Sequence, residues 1–234
     1  MISRRNFSHF GLTVLAGVPL IPQSTWALSL ADITTPDATQ ALRLALERAA
    51  QAALAQLGVP DGFLGNPQVR IPLPPRLQDA AQTLRWMGQG DALDQLVTAM
   101  NRAAEAAIPL GRELVVQAVQ GLTVQDAKGI LQGGDTAVTD YFAGKTRDPL
   151  TARLLPIVRQ TTDRVGLAQQ YNQVAGKAVD LGLLSSGEAR VEDHVTARAL
   201  QGLYSVIGEQ EQKIRSDPVG TGSALIGRVF GTLK

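Results

Sequence analysis

Apolar residues recur every three or four positions along most of the chain, the spacing of helices with one buried face. The first stripe is continuous: Ala38, Leu42, Ala45, Leu46, Ala49, Ala53 and Leu57, opened by Thr35-Pro36-Asp37 and closed by Gly58, with Pro60 beyond. Thr35 is the expected N-cap, Pro36 the first helical residue, and Asp37 the complement to the helix dipole. Further helices are expected over Arg76–Met87, from Asp91 to about Ala107 after the Gly88-Gln89-Gly90 break, and from Pro109 to Gly121. Asp148-Pro149 marks another start. Its helix should kink at Pro156, where a backbone hydrogen bond is lost, and stop at Gly166. Leu167–Leu184, a Ser185-Ser186-Gly187 turn, Val191–Ile214, and a final apolar segment entered through Asp217-Pro218 complete the series.

The chain is organised around Thr123–Phe142, TVQDAKGILQGGDTAVTDYF. Thr123 caps one expected helix and Gly133-Gly134 ends it, since glycine enters the left-handed region at little cost. Asp135 caps the next, whose apolar side carries Val138, Tyr141 and Phe142. A ligand-facing turn here would be lined by Asp126, Lys128, Asp135 and Tyr141. Helix capping accounts for the same aspartates without any ligand.

One stretch breaks the helical pattern. Residues 59–75, VPDGFLGNPQVRIPLPP, combine turn chemistry with alternation of Val69, Ile71 and Leu73 against Arg70 and Pro72. A lone strand has no partner, and Pro72 and Pro74 have no N–H to donate, so an extended loop is expected, strapped across the helices. No fixed-period repeat and no shift in composition divides the chain. The expected fold is all-α: a single compact domain of about eight to ten helices at residues 28–234, after an export signal at residues 1–27.

That signal changes the functional picture. Arg4-Arg5 precedes the apolar run Phe10–Ile21, which Gly17 and Pro19 interrupt, and Thr25-Trp26-Ala27 supplies the small residues of a cleavage site. Ser3-Arg4-Arg5-Asn6-Phe7 has the core of a twin-arginine motif, although Ser8 and His9 depart from its usual continuation. Export to the periplasm by the twin-arginine route is expected, with an ordinary secretory signal as the alternative. No stable membrane span remains after cleavage.

Composition then removes whole classes of chemistry. The chain has 22 basic and 21 acidic residues; without Arg4 and Arg5, 20 basic residues remain, giving no electrostatic footprint for nucleic acid. Zero cysteines exclude disulfides, thiolate metal sites and cysteine nucleophiles, and His194 is the one histidine after the leader. No metal site and no cofactor is expected. Aromatic residues are only 4% of the chain, so the core must be built from Ala, Leu and Val. Gly220-Thr221-Gly222-Ser223 lacks the lysine and preceding strand of a phosphate loop. His194, near a helix start, reads as a half-exposed surface residue. Tyr171-Asn172, inside a helix, form either a buried polar network or the lining of a pocket, and Arg70 and Lys128 could supply charge for an anionic ligand.

Five stretches taken together, PDGFLGNPQVRIPLP, MNRAAEAA, TVQDAKGIL with GGDTAVTDYF, VGLAQQYN and DPVGTGSALIGRVFG, resemble the bacterial family called domain of unknown function 4197. The resemblance spans about Leu28 to Lys234. It implies an exported helical protein of Gram-negative bacteria and carries over no catalytic residue. The expected function is a non-enzymatic binding module for a small apolar or amphipathic ligand, or for an envelope protein. Its candidate site residues are Arg70, Asp126, Lys128, Asp135, Tyr141, Tyr171 and Asn172. A carboxylate-dependent hydrolase or lyase using Tyr141 or Tyr171 is one alternative, and an oligomeric envelope structural protein another.

Overall fold

The computed structural model describes residues 30–125, 127–183 and 190–233. The expected leader, Asp126 and the Ser185-Ser186-Gly187 turn lie outside the described residues. After a short 3-10 turn at Leu30–Asp32 come α1 (Thr35–Leu57), α2 (Pro75–Leu84), α3 (Gly90–Gln120), α4 (Ala127–Leu131), α5 (Ala137–Arg164), α6 (Leu167–Asp180), α7 (Val191–Ser216) and α8 (Ala224–Gly231). A π-helical turn, Arg85–Gln89, joins α2 to α3, and Gly88 at φ 79° makes the corner. The fold is an all-α single domain, and among the described residues there is no strand.

The four long helices close into a ring: α1 packs on α3, α3 on α5, α5 on α7, and α7 back on α1. The short helices cover this bundle, α8 lying on α1 and α7, α6 on α3, and α4 on α1. Alanines let the axes approach closely. Ala38, Ala41, Ala53, Ala103, Ala104, Ala107 and Ala199 are all fully buried, interleaved with Leu42, Leu46, Met100 and Ile207. Phe142 meets the half of the core around Tyr204 edge-on, with ring centroids 5.8 Å apart.

Among the described residues there are seven longer helices and the five-residue α4, at the low edge of the expected eight to ten. The difference lies at prolines. Pro109 and Pro149 do not start helices; both sit inside long ones, α3 and α5, as Pro156 does. Each costs one backbone hydrogen bond, yet the helix runs through all three positions. At Pro109 the end of α1 comes in so close that a methyl on Gly58 would stand 3.1 Å from the proline ring. Some caps also move. Thr34, not Thr35, caps α1, accepting from Asp37 N at 3.2 Å. The Thr123 carbonyl accepts from the Tyr141 hydroxyl at 2.7 Å. Asp135 is exposed in the turn before α5, whose N-cap position is Thr136 with no side-chain capping bond. Gly166, left-handed at φ 66°, does separate α5 from α6.

Candidate functional site

Two buried glutamates organise the polar interior. Each accepts from two successive backbone amides of a distant segment and from an arginine on its own helix. Glu105, on α3, takes Phe63 N at 3.1 Å and Leu64 N at 3.0 Å through one oxygen, and Arg102 Nη1 at 2.7 Å through the other. Arg102 also reaches Asp61 at 2.8 Å. One turn earlier Asn101 brackets Ile71, accepting from its N at 2.8 Å and donating to its carbonyl at 2.9 Å. These bonds hold the 59–75 loop as a strap. Phe63, Val69, Ile71 and Leu73 face the core, and Arg70 and Pro72 face solvent, as the alternation in sequence requires. His194 on α7 pins the far end, with Nε2 2.9 Å from the Pro72 carbonyl.

Glu211, on α7, does the same for the start of α5. It accepts from Val138 N at 3.1 Å, Thr139 N at 2.8 Å, the Thr139 hydroxyl at 2.7 Å and Arg215 Nε at 2.9 Å. The carboxylate thus sits where the α5 dipole is positive and its first amides have no partner within the helix. Arg215 Nη1 extends the cluster to the α4 terminus, donating to Leu131 O at 3.0 Å. Its guanidinium carbon lies 5.6 Å from the centre of the Phe230 ring. Nη2 is buried and has no hydrogen-bond partner among the described residues.

Arg215 also walls an open cleft of about 900 Å³ between the α4–α5 turn, the last turns of α7, and Thr232 and Leu233 after α8. Asp135, Glu209 and Lys213 line it as well, so both signs of charge are present beside apolar Leu131 and Leu233. A second depression, of about 420 Å³, shares Lys213 and Ser216 and continues along α1 to Asp217 and Thr221.

Of the residues nominated from sequence, Asp135 reaches the large cleft. Arg70 is exposed on the strap, at a small hollow of about 100 Å³ with Arg198. Lys128 points its ammonium at the Ala31 carbonyl, 3.5 Å away. Tyr141 is tied to Thr123, with Lys145 5.8 Å from its ring centre. Tyr171 is half-buried, its phenol pushed up by burial and then by the Glu192 charge, while Asn172 is exposed. The pair therefore forms no buried network. Asp126 lies outside the described residues, and the others are not brought together.

The residues that anchor these two clusters, Asn101 and Glu105 at the strap and Glu211 and Arg215 at the start of α5, are not among those nominated from sequence. A signal existed. Asn101 and Glu105 fall at the spacing of Leu93, Val97 and Ile108, and Glu211 falls between Ile207 and Ile214. A polar residue inside an apolar stripe must find a buried partner.

Asp135 and Asp140 are exposed. Asp94 departs from the ordinary carboxyl value downward, chiefly because Arg85 hydrogen-bonds it. Among the described residues no group of His, Asp and Glu side chains is arranged to hold a metal ion, and no helix is long and apolar enough to cross a membrane.

Fold and cleft together define a strapped helical bundle with one large mixed-polarity surface cleft. The chain belongs to the family described as Protein of unknown function (DUF4197), which it matches over residues 32–231. No curated protein and no solved structure matches it.

Proposed function

We propose that this is an exported, non-enzymatic binding module that takes a small amphipathic ligand in the cleft between the α4–α5 turn, α7 and the residues after α8. One observation carries the proposal: a cleft of about 900 Å³ combines apolar Leu131 and Leu233 with charged Lys213, Arg215, Asp135 and Glu209. Ligand sites of this size set a few polar groups into apolar walls. The core itself is densely filled by Ala, Leu and Phe side chains, which favours a surface cleft over an enclosed apolar chamber. Export is supported by the twin arginines and apolar run of the first 27 residues and by a family match that begins beyond them.

The test is native mass spectrometry of the mature protein purified from the periplasm, paired with its denatured mass. A reproducible excess mass, lost on denaturation and lost with Leu131→Arg, supports the proposal. A bare monomer that also shows no amide shifts around Gly133 and Leu233 with amphiphiles of either charge overturns it. A discrete bare oligomer would transfer support to the structural alternative.

A further inference from the structure

Arg215 is more completely fixed than an arginine serving only as a counter-ion. Its side chain is 12% exposed, and two of its three nitrogens are committed, Nε to Glu211 and Nη1 to the Leu131 carbonyl. The Phe230 ring attracts the charge but offers no lone pair. Nη2 therefore keeps its N–H groups without an acceptor among the described residues, screened from bulk water, in a residue that walls the cleft of about 900 Å³. A buried donor left unsatisfied is costly, and such groups in native proteins are normally answered by an ion, a water or a ligand.

The local charge points the same way. The single Glu211 carboxylate answers two positive features at once, the Arg215 guanidinium and the N-terminus of α5. Lys213 adds a further cation to the same cleft. Asp135 and Glu209 also line the cleft, and like Lys213 they are accessible to solvent, where charge is screened, so the directed donor of the cleft is Arg215 Nη2.

We propose that the occupant of this cleft carries an oxyanion, a carboxylate or phosphate, and that Arg215 Nη2 with Lys213 is its receptor. The inference rests on the cleft being the ligand site and adds the chemistry of the ligand's head. The guanidinium fork is pre-oriented by Glu211 and Leu131, so an anion gains directed hydrogen bonds without the cost of ordering a long side chain. The apolar part of the ligand lies toward Leu131 and Leu233.

The test is a titration of the full mature chain, uniformly labelled with ¹⁵N, using three probes of equal chain length: decanoate, decyl phosphate and decanol. Occupancy is read from the Gly133 and Leu233 amides, and head-group recognition from the Arg215 side-chain N–H signals. The expected result is that an anionic probe binds about tenfold or more tightly than decanol and shifts the Arg215 signals. The stronger of the two anions identifies the head. Arg215→Lys should abolish the anion preference, bringing both anionic probes to the affinity that decanol has for the same variant. Lys213→Gln, at an exposed position outside the Glu211 cluster, should reduce it even if the arginine variant folds poorly. Equal binding of all three probes in the cleft, or an anion preference unchanged in both variants, overturns the oxyanion inference and leaves the cleft assignment standing. No amide shift with any probe removes both.

Discussion

Replacing Glu105 with alanine should release the strap and cost the fold about 3–4 kcal/mol. The magnitude follows from what loses its partner. Phe63 N is buried and bonds to Glu105 Oε1, so its desolvation becomes uncompensated at about 1–3 kcal/mol. Leu64 N is part-buried and recruits water more readily, adding less. The missing side chain also leaves a gap beneath Phe63, whose ring is wholly enclosed. Arg102 is more than a third exposed and keeps Asp61, so it turns to solvent and contributes little. With a urea m-value of about 2 kcal/mol/M, the midpoint should fall by about 1.5–2 M. Glu105→Gln retains an acceptor for Phe63 and Leu64 and loses only the charge, so it should cost about 1–2 kcal/mol. Amide exchange should accelerate first at Phe63, Leu64 and Ile71, before the helices exchange. A Glu105→Ala protein within about 1 kcal/mol of the parent, with Phe63 N still protected, would refute the role given to this carboxylate.

Two further tests reach the strap through other residues. Gly202→Ala places a methyl 2.9 Å from Phe63 Cε1 and 3.2 Å from Val69 Cβ; the overpacking cost of about 1–3 kcal/mol outweighs a helix-propensity gain of about 1 kcal/mol. Thermal melts should show it destabilised, whereas Gly176→Ala, with nothing within 4 Å of its added methyl, should be neutral or stabilised. His194 titrates below its ordinary 6.5, first because of burial, with the Pro72 bond opposing and Arg198 adding to the depression. The unfolded chain therefore binds the proton more readily, so this contribution to stability is full above 6.5 and is lost as pH falls below it. Urea midpoints measured on either side of that pH should show a drop that His194→Gln reduces.

The helical stripes were legible because burial and spacing coincide: Leu42, Leu46, Ala49 and Ala53 all lie at the core of the bundle. The strap was legible too, since its prolines forbid a paired strand and its alternation of apolar and polar residues survives in the fold. What misled was punctuation. Asp148-Pro149 has the form of a helix start, yet it lies mid-way along α5, because α5 packs on both α3 and α7 and that burial outweighs one lost backbone bond. The site was least legible. His194 and Pro72 are 122 residues apart, and Glu211 and Val138 are 73 apart. Such pairs have no local spacing rule, unlike caps and i,i+4 neighbours. Only the interruption of an apolar stripe by Asn101, Glu105 or Glu211 could have marked them.

The second glutamate allows a sharper distinction, between a buried ion pair and a buried anchor. Replacing a buried ion pair by apolar residues is often neutral, or stabilising by about 1–4 kcal/mol, because two desolvated charges disappear together. Glu211 and Arg215, with side chains 3% and 12% exposed, qualify as such a pair by burial. They differ in what else they hold. The first turn of α5 has no cap of its own, since the Thr136 hydroxyl donates to Asp140 instead. Its amides depend on Glu211, and the Leu131 carbonyl depends on Arg215. Glu211→Met with Arg215→Met therefore removes the charges but strands two buried N–H groups, at about 1–3 kcal/mol each. The double variant should be destabilised by about 2–5 kcal/mol. Glu211→Met alone should be worse still, because it leaves Arg215 buried without its counter-ion. Urea unfolding of the three proteins orders them directly. A double variant as stable as the parent would mean that the start of α5 finds other acceptors and that Glu211 is only a charge partner.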